Sequence, residues 1–312
     1  QSTRDAYGIA LKRVGAMNKN VVVLDADLSG STRSKQFGAE CPDRFFNMGI
    51  MEANLVGAAA GLARSGKIPF ISSFASFVIN KGFDQLRVAV AFSGMNVKVV
   101  ATHAGISIGE DGPSQMGIED VALACALPGF IVCVPADEHA TRALVRAAAA
   151  HRGPVYIRVG RPKAPVVYAA EDQFEFGKAR TLRDGRDIAL IANGLLVAEA
   201  LVAADTLSER GIAAMVLDCH TVKPLDRSAV AEAARLCGAV VTAEEHLLSG
   251  GLGAAVAQAL GELAPVPLEQ VGIRDTYAES ATPDQLMRKY GLTAPDIVSA
   301  AERALARKAG RG

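Results

Sequence analysis

Three polar clusters and one isolated carboxylate hold most of the side chains in this sequence that could do chemistry. "LDADLSGST" (24–32) brings Asp25, Asp27, Leu28, Ser29, Ser31 and Thr32 together just after an apolar run. "SSFASFVINKGFDQ" (72–85) pairs Phe74 with Phe77, and "HAGISIGEDGPSQ" (103–115) sets His103, Glu110, Asp111 and Gln115 among glycines. Glu52 stands apart as the one acid in the alanine-rich stretch "EANLVGAAAGLA" (52–63). A carboxylate in an apolar setting holds its proton more tightly than in water, so it can share that proton with a basic partner. Simpler roles compete. Asp27 and Ser31 could cap a following helix, and Glu52 suits the first turn of one.

Other motifs are weaker. "GGLGAA" (250–255) lacks the full dinucleotide-binding glycine spacing and reads as close helix–strand packing. His246, after Glu244 and Glu245, has no partner spacing for a metal, and His139 lies on a charged helical face. The sequence has no GxSxG, HExxH, P-loop or Cys–His signal.

The elements that must position these clusters alternate. Strand-like runs are "NVVVLDAD", "PFISSF", "NVKVVATH", "FIVCVP" and "PVYIRVG", then "DIALIANG", "IAAMVLDC", "AVVTAEEH" and "PLEQVGI". Helical patterns lie between them, as at 137–153 and at 195–211, the second ending in Gly211. Short buried strands alternating with helices predict an α/β protein with mostly parallel sheets. The rhythm breaks in the proline-bearing, charged stretch from 161 to 186. The expected organisation is two open domains, 1–165 and 187–312, joined by a linker at 166–186. In such sheets ligands collect at the carboxyl ends of the strands, where the three clusters fall. There is no internal repeat.

Composition narrows the function. The 312 residues carry 33 basic and 33 acidic side chains, so net charge gives no reason to expect nucleic acid or an anionic membrane. No apolar run reaches the about 20 residues of a membrane span. The N-terminal residues do not read as a signal peptide. Five cysteines, Cys41, Cys125, Cys133, Cys219 and Cys237, show no CxxC spacing and read as reduced thiols of a cytoplasmic protein.

Taken in order, these stretches resemble the C-terminal half of transketolase, and more closely the separate small subunit of split transketolases. "LDADLSGST" is similar to the first loop of the pyrimidine-binding domain, and "NMGIMEANLVGAAAGLA" to the segment bearing the glutamate of thiamine diphosphate enzymes. "SSFASFVINKGFDQLR" resembles the aromatic segment around the aminopyrimidine, "THAGISIGEDGPSQMGIED" the substrate loop, and "PVYIRVGR" the strand ending in a substrate arginine. "AEEHLLSGGLGAAV" and "DTYAESATPDQLMRKYGLTAPDIVSAA" are similar to the transketolase C-terminal domain.

The resemblance implies thiamine diphosphate as cofactor, with Glu52 bonding N1′ of its aminopyrimidine and Phe74 and Phe77 stacking on the ring. Asp27 and Leu28 would lie near the cofactor. His103 and Asp111 would meet substrate hydroxyls, with His103 also catalytic, and Ser31 and Arg161 would hold a terminal phosphate or sulfonate. Two positions depart from the family: its second loop histidine is Gln115, and its third aromatic is Asn80. Glutamine donates a hydrogen bond but carries no proton at neutral pH. The GDG…N motif that binds Mg²⁺ and the diphosphate is missing, so no metal ligand is expected in this chain. A large partner subunit should supply those ligands, in an assembly of two large and two small subunits acting on sugar phosphates. The alternatives are the beta subunit of a 2-oxo-acid dehydrogenase, a fragment like deoxyxylulose phosphate synthase, and a non-catalytic chain that kept the fold.

Overall fold

The computed structural model describes residues 1–170 and 172–310. Two mainly parallel sheets organise the chain, each covered by helices. The first has seven strands, in spatial order β10, β5, β6, β4, β3, β1, β2. These are β1 (Val21–Asp25), β2 (Phe45–Asn47), β3 (Ile68–Phe74), β4 (Lys98–Thr102), β5 (Ile131–Cys133), β6 (Val155–Arg158) and β10 (Thr221–Lys223). All run parallel except β10, which pairs antiparallel with β5. The second sheet runs β12 (Leu268–Ile273), β11 (Val240–Leu247), β8 (Ile188–Ala192), β9 (Ala214–Asp218) and β7 (Arg180–Arg183), with β7 antiparallel at its edge.

The strands form where β-branched and leucine residues run together, and β1, β4, β6, β8 and β9 are buried at every position. Burial on both faces explains why they read as continuous apolar runs rather than alternating ones. Lys98 is an apparent exception within β4. Its chain is fully buried, but its ammonium reaches Asn96 Oδ1 at 2.6 Å and the His151 and Gly153 carbonyls at the amino end of the sheet.

Each of the nine apolar runs contains one strand. Three short strands lie outside them. β7 falls inside the stretch read as a linker, and β10 leaves the second half of the chain to extend the first sheet. The helix expected at 137–153 spans Glu138–Ala150 and is capped by Asp137, whose Oδ1 accepts from the amides of His139 and Ala140 at 2.9 Å. The helix expected at 195–211 spans Leu196–Glu209, with Gly211 beyond it at a left-handed φ of 77°. Gly253 packs as "GGLGAA" suggested: an added Cβ would lie 2.9 Å from Gln270 Oε1 and 3.0 Å from Thr242 Oγ1. All five cysteines are free thiols. Among the described residues, no helix is long and apolar enough to cross a membrane.

Arg158 ties the halves together, and Glu244 fixes the element it meets. Arg158 Nε bonds Asp120 at 3.0 Å, and its Nη2 donates to the backbone carbonyl of Glu245 at 2.8 Å. Glu244 Oε2 and Oε1 cap the helix Leu252–Leu263 through the amides of Leu252 and Gly253, both at 2.8 Å.

Candidate active site

The carboxyl ends of β1, β3, β4 and β6 converge on one surface. Glu52 is the first residue of the helix Glu52–Arg64 and is only 2% exposed. Ser73 Oγ, near the end of β3, donates to Glu52 Oε1 at 3.0 Å, and Lys81 Nζ lies 3.7 Å from Oε2. The surroundings of Glu52 are therefore less apolar than its sequence neighbours imply: one hydroxyl and one ammonium meet it.

Phe74 closes β3 and Phe77 lies one turn later, so their rings stack at 5.3 Å with 17° between planes. Lys81 Nζ rests 4.7 Å from the centre of the Phe77 ring. On the other side of Phe74, the His103 ring stacks at 3.7 Å and 21°. Phe77, Phe74 and His103 thus form one continuous stack, which Lys81 joins to Glu52. Asn80 does not extend it, because its side-chain amide donates to Glu119 Oε1 at 2.9 Å.

His103 follows β4 in a left-handed conformation, with φ 55°. Arg4 Nη1 lies 2.9 Å from its Nε2, and Thr102 Oγ1 lies 2.8 Å from its Nδ1. A guanidinium only donates, so Nε2 must be the acceptor and Nδ1 must carry the proton. His103 is a neutral imidazole of fixed tautomer. Burial first, then the charges of Arg4, Arg161 and Arg33, push its pKa down to about 3.

Arg4 gave no signal in the sequence. It lies in the first turn of the helix Thr3–Met17, and its chain runs beside β6, with Arg4 N donating to Gly160 O at 3.3 Å. Its Nη1 also donates to the Ser31 carbonyl at 3.2 Å, while its buried Nε has no partner. Arg33 pairs with Asp5 at 2.6 Å. Arg161 Nη1 donates to the Ile108 carbonyl at 2.8 Å and to Asp111 Oδ1 at 3.2 Å. Three guanidinium groups and a spare buried N–H therefore surround His103, a setting made for an anion.

The loop after β1 is built by Asp25. Its buried carboxylate accepts from Leu28 N at 2.6 Å, Thr32 Oγ1 at 2.7 Å and Ser34 Oγ at 2.8 Å. The helix that follows, Ser29–Thr32, has no side-chain cap, so neither Asp27 nor Ser31 caps it, and Asp25 organises the loop instead. Asp27 is exposed, and Asn47 Nδ2 donates to it at 2.8 Å; Leu28 enters this loop by its backbone. Ser31 reaches the cluster through its carbonyl on Arg4. Gln115 bonds elsewhere: its side-chain oxygen accepts from Ser114 Oγ, and its carbonyl accepts from Ser76 Oγ at 2.9 Å.

Comparison with known proteins gives this geometry a family. Residues 1–166 match the transketolase pyrimidine-binding domain, and residues 177–297 match the transketolase C-terminal domain. The chain belongs to the transketolase family. It is 45% identical to the 6-deoxy-6-sulfo-D-fructose transketolase subunit SqwH of Clostridium sp. strain MSTE9, covering 98% of this chain and 95% of that one. It is 42% identical to a putative transketolase C-terminal section of Methanocaldococcus jannaschii, over 94% and 93% of the two chains. Human transketolase is 37% identical, and there the match spans 49% of its length. A solved split-gene transketolase, described as an inactive beta4 tetramer, superposes with a TM-score of 0.93 at 50% identity, covering 98% of this chain. Transketolases are thiamine diphosphate enzymes that transfer a two-carbon ketol unit.

Proposed function

We propose that this chain is the small subunit of a split transketolase and contributes the pyrimidine half of its active site. The observation that carries the reading is Glu52: a buried carboxylate at a helix start, beside the stacked Phe74 and Phe77. The site fits the group. Glu52 would hold the N1′ nitrogen of the aminopyrimidine and exchange a proton there, with Ser73 fixing one carboxylate oxygen. Phe74 and Phe77 offer a flat apolar face for the ring. Thiamine diphosphate, when bound, supplies the nucleophilic carbon and the electron sink that hold the two-carbon unit between donor and acceptor.

The remaining side chains handle the sugar. Arg4 takes the one lone pair of His103 at Nε2, so His103 would accept from a substrate hydroxyl or take up a proton there once an anion draws Arg4 away from the ring. Asp111 would accept from another hydroxyl. Arg4, Arg161 and the Ser31 loop, with Arg33 behind them, would hold the far end. A phosphate and a sulfonate both present three oxygens in tetrahedral array, and the sulfofructose transketolase relative supports including the sulfonate. The donor class is therefore a ketose ending in phosphate or sulfonate, and the acceptor an aldose. The Mg²⁺ and diphosphate ligands would come from a large subunit, in a cytoplasmic assembly of two large and two small chains. The near end-to-end match to separate C-terminal-section subunits supports that partner.

Glu52→Gln tests the reading. The variant should fold with an unchanged melting temperature and, assembled with its large subunit, turn over ketose phosphate about 10²–10⁴-fold more slowly. Wild-type turnover would remove Glu52 from cofactor activation.

A further inference from the structure

The substrate loop lies in the first half of the chain, yet the second half shapes it. Three of its glycines, Gly105, Gly109 and Gly112, have left-handed φ values of 82°, 86° and 82°. Each also abuts the second domain. A Cβ on Gly105 would lie 2.1 Å from Glu245 Oε1; on Gly109, 3.0 Å from Pro283 Cδ; on Gly112, 2.5 Å from Ser280 Oγ. The backbone conformation strains a side chain at all three, and at Gly105 the Glu245 carboxylate also fills the space one would need. Glu245 makes the directional bond: its Oε1 accepts from Ser107 N at 2.6 Å, deep in the interface.

Glu245 is itself held. It follows Glu244, which caps a helix, and precedes His246, whose Nε2 meets Ala122 N at 3.3 Å. Its own carbonyl accepts from Arg158, which is anchored on Asp120. Burial raises the proton affinity of Glu245, and Arg158 and Ser107 oppose this. Arg161, from the first domain, grips the loop at the Ile108 carbonyl. The loop is thus gripped at Ser107 by the second domain and at Ile108 by the first, with His103 four residues before Ser107 and Asp111 three after Ile108.

We infer that the C-terminal domain is the template of the substrate-binding loop, and that Glu245 is a positioning residue that sets His103 and Asp111 for the sugar. The inference rests on the transketolase reading for its substrate. It gives the second domain a part in ketose recognition beyond assembly, although that domain contributes no side chain to the stack of Phe77, Phe74 and His103.

The test compares Glu245→Ala, Glu245→Gln and Ser280→Leu in the complete two-subunit enzyme. Ser280 is exposed, so the leucine presses on Gly112 without disturbing the core. Glu245→Ala and Ser280→Leu should raise KM for the ketose about tenfold or more, with kcat and thiamine diphosphate affinity within about twofold of wild type. Glu245→Gln keeps an acceptor for Ser107 N and should restore KM. Hydrogen exchange on the small subunit should show faster exchange at 105–112 in the first two variants and unchanged exchange in β1 and β3. Unchanged KM and unchanged loop exchange would overturn the inference, as would a loss of cofactor affinity equal to the loss in KM. If the wild-type pair turns over no ketose, the transketolase reading fails instead, and the exchange data still decide whether Glu245 sets the loop.

Discussion

Arg4 determines the state of His103. It donates to Nε2 while Thr102 holds Nδ1, so protonating the ring would put N–H against N–H beside three guanidinium groups. The sign of the pH effect follows. The folded pKa of about 3 lies below the ordinary 6.5, so the unfolded chain takes up this proton first. Stability from His103 is complete above pH 6.5 and is lost as pH falls from there toward 3. NMR of the free subunit should show an Nδ1-protonated imidazole that does not titrate between pH 5 and 8. Arg4→Met should move that titration upward, and should raise KM for a phosphorylated or sulfonated ketose about tenfold or more while sparing an uncharged one. An equal effect on the uncharged sugar would take Arg4 out of anion binding. At this scale the sequence was legible where a motif surrounds a residue: Phe74, Phe77 and His103 do stack together, with Lys81 between that stack and Glu52. It was illegible for Arg4, which sits in an ordinary amphipathic first helix. Its placement depends on contacts with Gly160, Ser31 and His103, all distant in sequence. Spacing alone also did not reveal that Asp27 bonds Asn47 or that Gln115 bonds Ser114.

Among the elements, the loop after β1 carries a clear prediction. Asp25 accepts from three donors in that loop, so Asp25→Ala leaves buried groups without partners. The cost should be about 1–3 kcal/mol in urea unfolding, with KM for the ketose raised because Ser31 and Arg33 lose their frame. Stability within experimental error of wild type would mean the loop is held by its packing alone. The long buried strands were readable because burial on both faces leaves a continuous apolar run. β2, β7 and β10 were not, being short edge strands defined by their neighbours. β7 is "RTLR", half-exposed and charged, and pairs with β9 across more than thirty residues of sequence. The helix starts were readable only in part, since Asp137 caps by a bond that the apolar pattern does not encode.

For the whole molecule, the two sheets share more than a linker. β10 crosses from the second half to extend the first sheet, and Arg158 and Glu245 tie the halves through buried polar bonds. What the molecule presents at the carboxyl ends of β1, β3, β4 and β6 is the stack of Phe74, Phe77 and His103 beside Arg4, Arg33 and Arg161, which we propose as a wall for an aromatic ring and a cationic end for an anion. If this surface is half of an active site, neither subunit alone should hold the cofactor tightly. The most direct measurement is a calorimetric titration of thiamine diphosphate with Mg²⁺ into this chain alone, into its large subunit alone, and into the two combined, followed by a ketose-plus-aldose assay on each. Tight binding and turnover only in the combined sample is the predicted result. Tight binding and sugar turnover by this chain alone would contradict it.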